Sequence, residues 1–394
     1  MSGALRRFDA EERRARLGVR HHLASSARGA SPVDVARDLV AVHSTDATSV
    51  FVGIAARMRD PDPAAIERAL YGERRLARML GMRRTVFVVP VELAPVVHAA
   101  CTRAIAERER GRLIRMLEDA GVAKDGARWL RDVEASTLRA LEAHGEATAA
   151  QLSADEPRLR TQIALAVGKP YEGRVGVSTR LLFVLAAEGR VVRGRPRGSW
   201  VSTLYRWAPI DAWLPGGMPE LPTGEAQSAL IRQWLRAFGP GTVTDLRWWT
   251  GLTAAEVKRA LAEIGAVSVD LGGAPGVALP DDLEPTPAPA PWVALLPALD
   301  TSVMGWSERA WFLGEHGRRL FDRNGNAGPT VWSNGSVIGG WGQRTDGEIV
   351  VTLLEDVGAD VARAVEAEAE RLRAWLGDIR VTPRFRTPIE RELS

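Results

Sequence analysis

GEAQSALIRQWLRAFGPGT (224–242), VTDLRWWTG (243–251), TAAEVKRALAEIG (253–265) and VSVDLGGAPGVALP (267–280) follow one another almost without interruption. The first three carry helical patterns, and the last reads as two strand-like runs around a glycine turn. The order helix, helix, helix, hairpin stands twice more upstream without obvious sequence identity. In the first copy, helical patterns at 8–25 and 32–42 lead into ATSVFVGIAARM (47–58) and AAIERALYG (64–72). RRLARMLGMRRTVFVVP (74–90) then reads as strand, turn, strand, closed by Pro90. In the second copy, ASTLRALEAHG (135–145) is a helix ended by Gly145, EATAAQLSADEP (146–157) a short helix and VSTRLLFVLAAEG (177–189) a third. RVVRGRPRGSWVSTLYRWAP (190–209) follows as a hairpin whose turn is edged by arginines. A plan repeated three times is an organisational signal that no single element supplies.

Downstream, EPTPAPAP (284–291) is a proline-rich, extended linker. Beyond it WVALLPALD, RAWFLG, RRLFDRNGNAGPTVWSNGSVIGGWGQR and GEIVVTLLED are short strand-like runs broken by Gly, Asn and Pro, and a charged helix at 358–376 closes the pattern. The fold class expected is α+β: three tandem winged-helix modules (1–120, 121–222, 223–284) followed by a small C-terminal β-barrel-like module (285–394).

The 394 residues are 45% hydrophobic and 26% charged, as in folded soluble proteins. No run of eighteen apolar residues occurs, and MSGALRRFDAEERRARL is charged rather than signal-like, so neither a membrane nor export is expected. One cysteine, Cys101, excludes an internal disulfide and a Cys-rich zinc site. The six histidines show no H-x-x-x-H or H-E-x-x-H spacing, so no metal or cofactor is expected. The net charge is +3, and the basic residues are arginine except for Lys124, Lys169 and Lys258. Arginine's planar fork suits phosphate, although a GC-rich genome gives the same bias. Arginines gather in the turns, at Arg83-Arg84, at Arg190, Arg193, Arg195 and Arg197, and at Arg318-Arg319.

Within the first copy, three polar side chains interrupt the apolar run LVAVHSTDATSVFVGIAARM (39–58). In an extended backbone His43 and Thr45 point the same way and Ser44 the other. Asp46 follows just before a helical pattern, which puts the cluster at a helix N-terminus, a place that suits anions and positioned water. The plainer reading makes Asp46 or Thr45 a helix cap and His43 a satisfied core histidine.

LVAVHSTDA (39–47), RRTVFVVP (83–90), GPGTVTDLRWWTGL (239–252), LLPALDTSVMGW (295–306) and LFDRNGNAGPTVWSNGSVIGGW (320–341) together resemble the winged-helix DNA glycosylases of the AlkZ/YcaQ type over nearly the whole chain. That family unhooks interstrand crosslinks and removes bulky alkylated purines. Its catalytic segment carries Gln-x-Gln or Gln-x-Asp followed by Asp-Pro. Here His43 and Thr45 stand at the two positions, Asp46 is kept, and Ala47 replaces the proline. The departure marks either a divergent subgroup with the same chemistry or a member that binds DNA without catalysis.

The resemblance implies a glycosylase that hydrolyses the N-glycosidic bond of N7-alkylated purines in double-stranded DNA and leaves an abasic site, in repair or in self-resistance to a DNA-alkylating natural product. His43, Thr45 and Asp46 are the catalytic candidates. Neutral His43 would accept a proton from or orient the water, Thr45 would fix that water, and Asp46 would stabilise positive charge or orient His43. A lyase needs an amine, and no lysine lies near the motif, so a monofunctional enzyme is expected. Arg83, Arg84, Arg193, Arg195 and Arg197 are candidates for phosphate contacts, with Trp200 probing a groove or stacking. Trp248 and Trp249 fit a core helix, and Trp306, Trp311, Trp332 and Trp341 a packed C-terminal module. A cytoplasmic, nucleoid-associated monomer is the expected form. The alternative is a non-catalytic tandem winged-helix regulator or lesion-sequestering factor.

Overall fold

The computed structural model describes residues 5–165 and 173–393. The first segment comprises α1 (Ala10–Arg20), α2 (Pro32–Asp38), β1 (Val42–His43), α3 (Ala47–Ala55), α4 (Pro63–Glu67), β2 (Leu76–Leu80) and β3 (Val86–Pro90). Each helix begins where the sequence supplies a cap. Asp9, Ser31, Asp46 and Asp62 accept from backbone N–H groups of the first turn, and prolines follow Ser31 and Asp62 directly. The strands form an antiparallel sheet in the order β1-β3-β2, with His43 opposite Phe87 and Val42 opposite Val88.

The chain continues through α5 (Ala94–Val97) and a wide turn at His98–Thr102 into α6 (Arg103–Asp119). In the second segment α7 (Gly126–His144) starts well before the expected 135, because Asp125 caps it there. Next come α8 (Ala149–Asp155), β4 (Gln162–Leu165), β5 (Gly173–Gly176), α9 (Val177–Ala187), β6 (Val191–Pro196) and β7 (Tyr205–Pro209). The β4–β5 pair had no strand signal in the sequence, and Lys169 lies outside the described residues. The third segment is α10 (Thr223–Phe238), α11 (Val243–Thr250), α12 (Ala254–Glu263), β8 (Val267–Asp270) and β9 (Pro275–Ala278). Reciprocal Thr242/Asp245 and Thr253/Glu256 capping boxes start α11 and α12, and Gly251 ends α11 at φ 76°.

The C-terminal part contains β10 (Val293–Leu296), α13 (Ala310–Leu313), α14 (Gly317–Leu320), β11 (Thr330–Ser333), β12 (Ser336–Gln343), β13 (Ile349–Leu353), α15 (Gly358–Leu376) and α16 (Pro388–Leu393). Two expectations are corrected here. RAWFLG is a helical turn, not a strand: it ends at Gly314 and packs Phe312 against Trp311 and Trp332. The strands form an open meander, β10-β11-β12-β13, rather than a barrel. Four strands enclose too little volume to close. Instead α15 packs on both edge strands, setting Val365, Ala369, Leu372 and Leu376 at helical spacing into the core.

One core joins Leu17, Met79 and Phe87 to Trp234, Phe238 and Trp249 of the third segment and to Trp306 and Trp332. A second joins Val50, Phe51 and Ile54 of α3 to Leu295, Val331 and Trp341 of the meander and to α15. The helix bearing the HST-D cluster is therefore buried almost all round, which fixes β1 and the start of α3 from both sides.

Candidate functional site

His43 ends β1, 7% exposed, with its ring edge-on to Phe87 at 5.3 Å between centroids. Its Nδ1 accepts a long hydrogen bond from the Thr45 backbone N–H at 3.4 Å. On hydrogen-bond grounds that assigns the proton of the neutral ring to Nε2. Burial, and after it the nearby Arg83 charge, hold the imidazole pKa down at about 3. At neutral pH the ring is uncharged and a poor proton acceptor, suited to directing a water rather than deprotonating it. Thr45 is half-buried beside it.

Both oxygens of the Asp46 carboxylate are engaged. Oδ1 accepts from the Thr48 N–H and hydroxyl at 3.0 and 2.7 Å, and Oδ2 accepts from the Arg384 N–H at 3.0 Å. Asp46 thus caps α3 and ties the 381–387 segment to it. Among the described hydrogen bonds none joins Asp46 to His43, so of the two sequence readings the geometry supplies the cap.

Sequence reasoning missed the residues that hold this strand in place. Thr301 Oγ1 accepts from the His43 N–H at 3.3 Å and donates to the Ala41 carbonyl at 3.2 Å, covering the edge of β1 that β3 leaves open. Its neighbour Asp300 pairs bidentately with Arg57, at 2.7 and 2.9 Å, just beyond the end of α3. The Arg57 guanidinium also donates to the Gly53 carbonyl and to Ser302 Oγ, which lies 2.7 Å from His21 Nδ1. Ser49 Oγ donates to the Ala298 carbonyl at 2.6 Å. The available signal was LLPALDTS, polar residues in an apolar run some 250 residues from their partners. A sequence does not state which buried group such residues satisfy.

Arg83 and Arg84 occupy the β2–β3 turn, both with left-handed backbone (φ 51° and 62°), a conformation that costs a non-glycine residue about 1 kcal/mol or more. The Arg83 guanidinium lies 3.9 Å from the centre of the Trp248 ring, and Arg309 approaches the same ring at 4.8 Å. Burial, then Arg83, lowers the Arg309 pKa to about 10. Trp248 is thus only partly buried between two guanidinium groups, whereas Trp249 is core. Arg84 points away from this group, pairing with Glu109 at 3.1 Å and lying 4.9 Å from the centre of the Phe183 ring.

The β6–β7 residues do not gather at His43. Arg193 lies over Tyr205 and Trp207, Arg195 pairs with Glu67 at 2.9 Å, and Arg197 is exposed. Trp200 is a correction. It is 8% exposed and stacked on Phe51 at 4.7 Å, with Trp375 at 5.9 Å, so it packs α3 against α15 instead of facing a groove. Trp200→Phe should therefore lower stability by about 1 kcal/mol while leaving DNA affinity and its salt dependence unchanged. A steep loss of DNA affinity in that variant, measured by fluorescence anisotropy, would return Trp200 to the interface.

Lys124 and Lys258 are exposed, before α7 and on α12. Among the described residues no group of three His, Cys, Asp or Glu is placed to hold a metal, and no helix is long and apolar enough to cross a membrane.

The model of the AlkZ-like DNA glycosylases matches residues 36–375, and the chain belongs to that family of DNA-acting glycosylases. The DNA glycosylase AlkZ of Streptomyces sahachiroi shares the fold, with a TM-score of 0.73 over 95% of this chain and 98% of that one, at 22% identity. No curated protein sequence matches the chain.

Proposed function

We propose that the protein is a monofunctional DNA glycosylase that hydrolyses the N-glycosidic bond of bulky N7-alkylated purines, including those in interstrand crosslinks, and leaves an abasic site. The observation that carries this reading is a neutral, buried His43 beside Thr45, next to an Arg83–Trp248–Arg309 group that presents positive charge. The cationic base is already a good leaving group, so the demand on the protein is a positioned water and a stabilised oxocarbenium-like sugar. His43 Nε2–H donates to the water oxygen, and Thr45 Oγ1 accepts one of its protons. The remaining lone pair is then directed at the anomeric carbon; the cationic purine leaves as a neutral base with the electron pair of the broken glycosidic bond, and the surplus proton of the added water passes to solvent. No lysine amine is needed.

The three helix–hairpin segments act as winged helices with the boundaries 1–120, 121–222 and 223–284, and 285–394 braces them. Phosphates are held by Arg83, Arg84, Arg193, Arg195 and Arg197. Arg195 must leave Glu67 to do so, an exposed pair worth at most about 1 kcal/mol. The protein works as a monomer in the cytoplasm at the nucleoid, in repair or in self-resistance to an alkylating natural product. The second reading, DNA binding without catalysis, draws on the near-complete burial of His43.

Asp46 offers a test of which groups act chemically. As a cap and tether it should tolerate Asp46→Asn with little change in base release, whereas Asp46→Ala should cost about 1–2 kcal/mol of stability by urea unfolding. A tenfold or greater loss of base release in a fully stable Asp46→Asn variant would show that the carboxylate charge serves the transition state. The function itself is tested by single-turnover release of an N7-alkylguanine from duplex DNA, scored as alkali-sensitive strand breaks. Tight, salt-sensitive binding with no release from a monoadduct or a crosslink would favour the non-catalytic reading.

A further inference from the structure

A cleft of about 250 Å³ lies between the β2–β3 hairpin, from which Arg78, Met79, Leu80 and Val86 line it, and the second segment. Directly paired strand residues share a face: His43, Phe87 and Met79 on one side, Val42, Val88 and Arg78 on the other. Arg78, Arg84, Arg180 and Arg193 line this cleft, with Phe183 and Trp207 among its apolar walls. Arg78 is 2% exposed, yet its described partners are the neutral hydroxyls of Tyr205, at 2.5 Å, and Tyr71, at 3.5 Å. Its Nε and that of Arg180 are buried with no hydrogen-bond partner among the described residues. Among those residues, Arg78, Arg180 and Arg193 form no ion pair with a carboxylate. Burial lowers the pKa of Arg180 and of Arg193, and neighbouring arginines add to the effect. Arg78 is buried without a counter-charge, which is costly, whereas half-buried Arg180 feels the Glu109 carboxylate; an anion entering the cleft removes the cost at Arg78.

We propose that this cleft is a second binding site, separate from the reaction site, for one nucleoside phosphate unit. Its phosphate oxygens are held by Arg78, Arg180 and Arg193, and its base lies against Phe183 and Trp207. The aromatic walls and the small volume favour a single ring with its phosphate over a long acidic segment. The unit is carried either by the DNA strand bound at the reaction site, which rests on the reading above, or by a free mononucleotide, which does not.

The experiment compares the full-length wild type with Arg180→Gln and Arg193→Gln, because Arg78→Gln risks unfolding. Calorimetric titration with thymidine monophosphate and with thymidine tests the free nucleotide. Anisotropy on duplex DNA at 50 and 200 mM salt tests the strand. Preference for the monophosphate by about tenfold or more, lost in both variants, assigns the site to free nucleotides. Weaker DNA binding in Arg180→Gln, with the salt slope reduced by about one, assigns it to the DNA strand, since a loss in Arg193→Gln already follows from the proposed function. If neither ligand distinguishes Arg180→Gln from the wild type, the proposal is overturned. Base release is not read in either arm, so failure of the glycosylase reading would show separately.

Discussion

Alanine at His43 should slow single-turnover release of an N7-alkylpurine by about 10²-fold or more while duplex affinity stays within about threefold. The ring is placed to hold a water; it meets the Thr45 backbone N–H and Phe87, while Thr301 holds the His43 backbone N–H, and none of these is a phosphate-binding group. Glutamine at 43 should restore most of the rate, since an amide directs a water without carrying charge, and Thr45→Ala should cost about tenfold. Because the folded-state pKa is about 3, the rate should not fall with an imidazole titration between about pH 8 and 5. A midpoint near 6.5 would restore an ordinary histidine base and defeat the positioning role. The same shift sets a sign for stability. Between the unfolded value near 6.5 and the folded value near 3 the unfolded chain binds the additional proton. The contribution is therefore complete above about pH 6.5 and is lost as pH falls toward 3. His43→Ala should flatten that part of the stability profile.

Asp300→Ala should lower stability by about 3–5 kcal/mol, read as the shift of the urea unfolding midpoint. The loss is large because Arg57 remains 1% exposed with no counter-charge. The double variant Asp300→Leu/Arg57→Met should recover most of it, since a buried pair replaced by apolar side chains of similar size is close to neutral. Folded Asp300→Ala should also release base more slowly, because Thr301 next to it secures the His43 strand. A cost below about 1 kcal/mol would mean that α3 is held to the C-terminal part by packing alone.

The local elements were legible wherever a chemical signal was local. The cap at Asp46, the stop of a helix at Gly145 and the helix Gly358–Leu376 all follow from residues within a few positions of one another. Failures came where neighbours in space decided. RAWFLG has the composition of a strand but no strand to pair with, and it settles as a turn of helix among aromatic rings. Trp200 sits between arginine-rich strands and reads as an interface residue, yet Phe51 and Trp375 enclose it.

The sequence by itself determined the helix–hairpin order and the identity of the His43-Ser44-Thr45-Asp46 cluster at a helix start, because capping, turn chemistry and periodicity act over a handful of residues; the family was legible only as a resemblance carried by motifs spread along the chain. Only the tertiary structure decided that His43 is buried with its pKa held down, that Asp46 is committed to α3 and Arg384, and that Thr301 and Asp300 secure the site from the far end of the chain. Desolvation and the pairing of buried charges depend on which surfaces meet. Residues 43 and 301 meet only when the whole chain has folded.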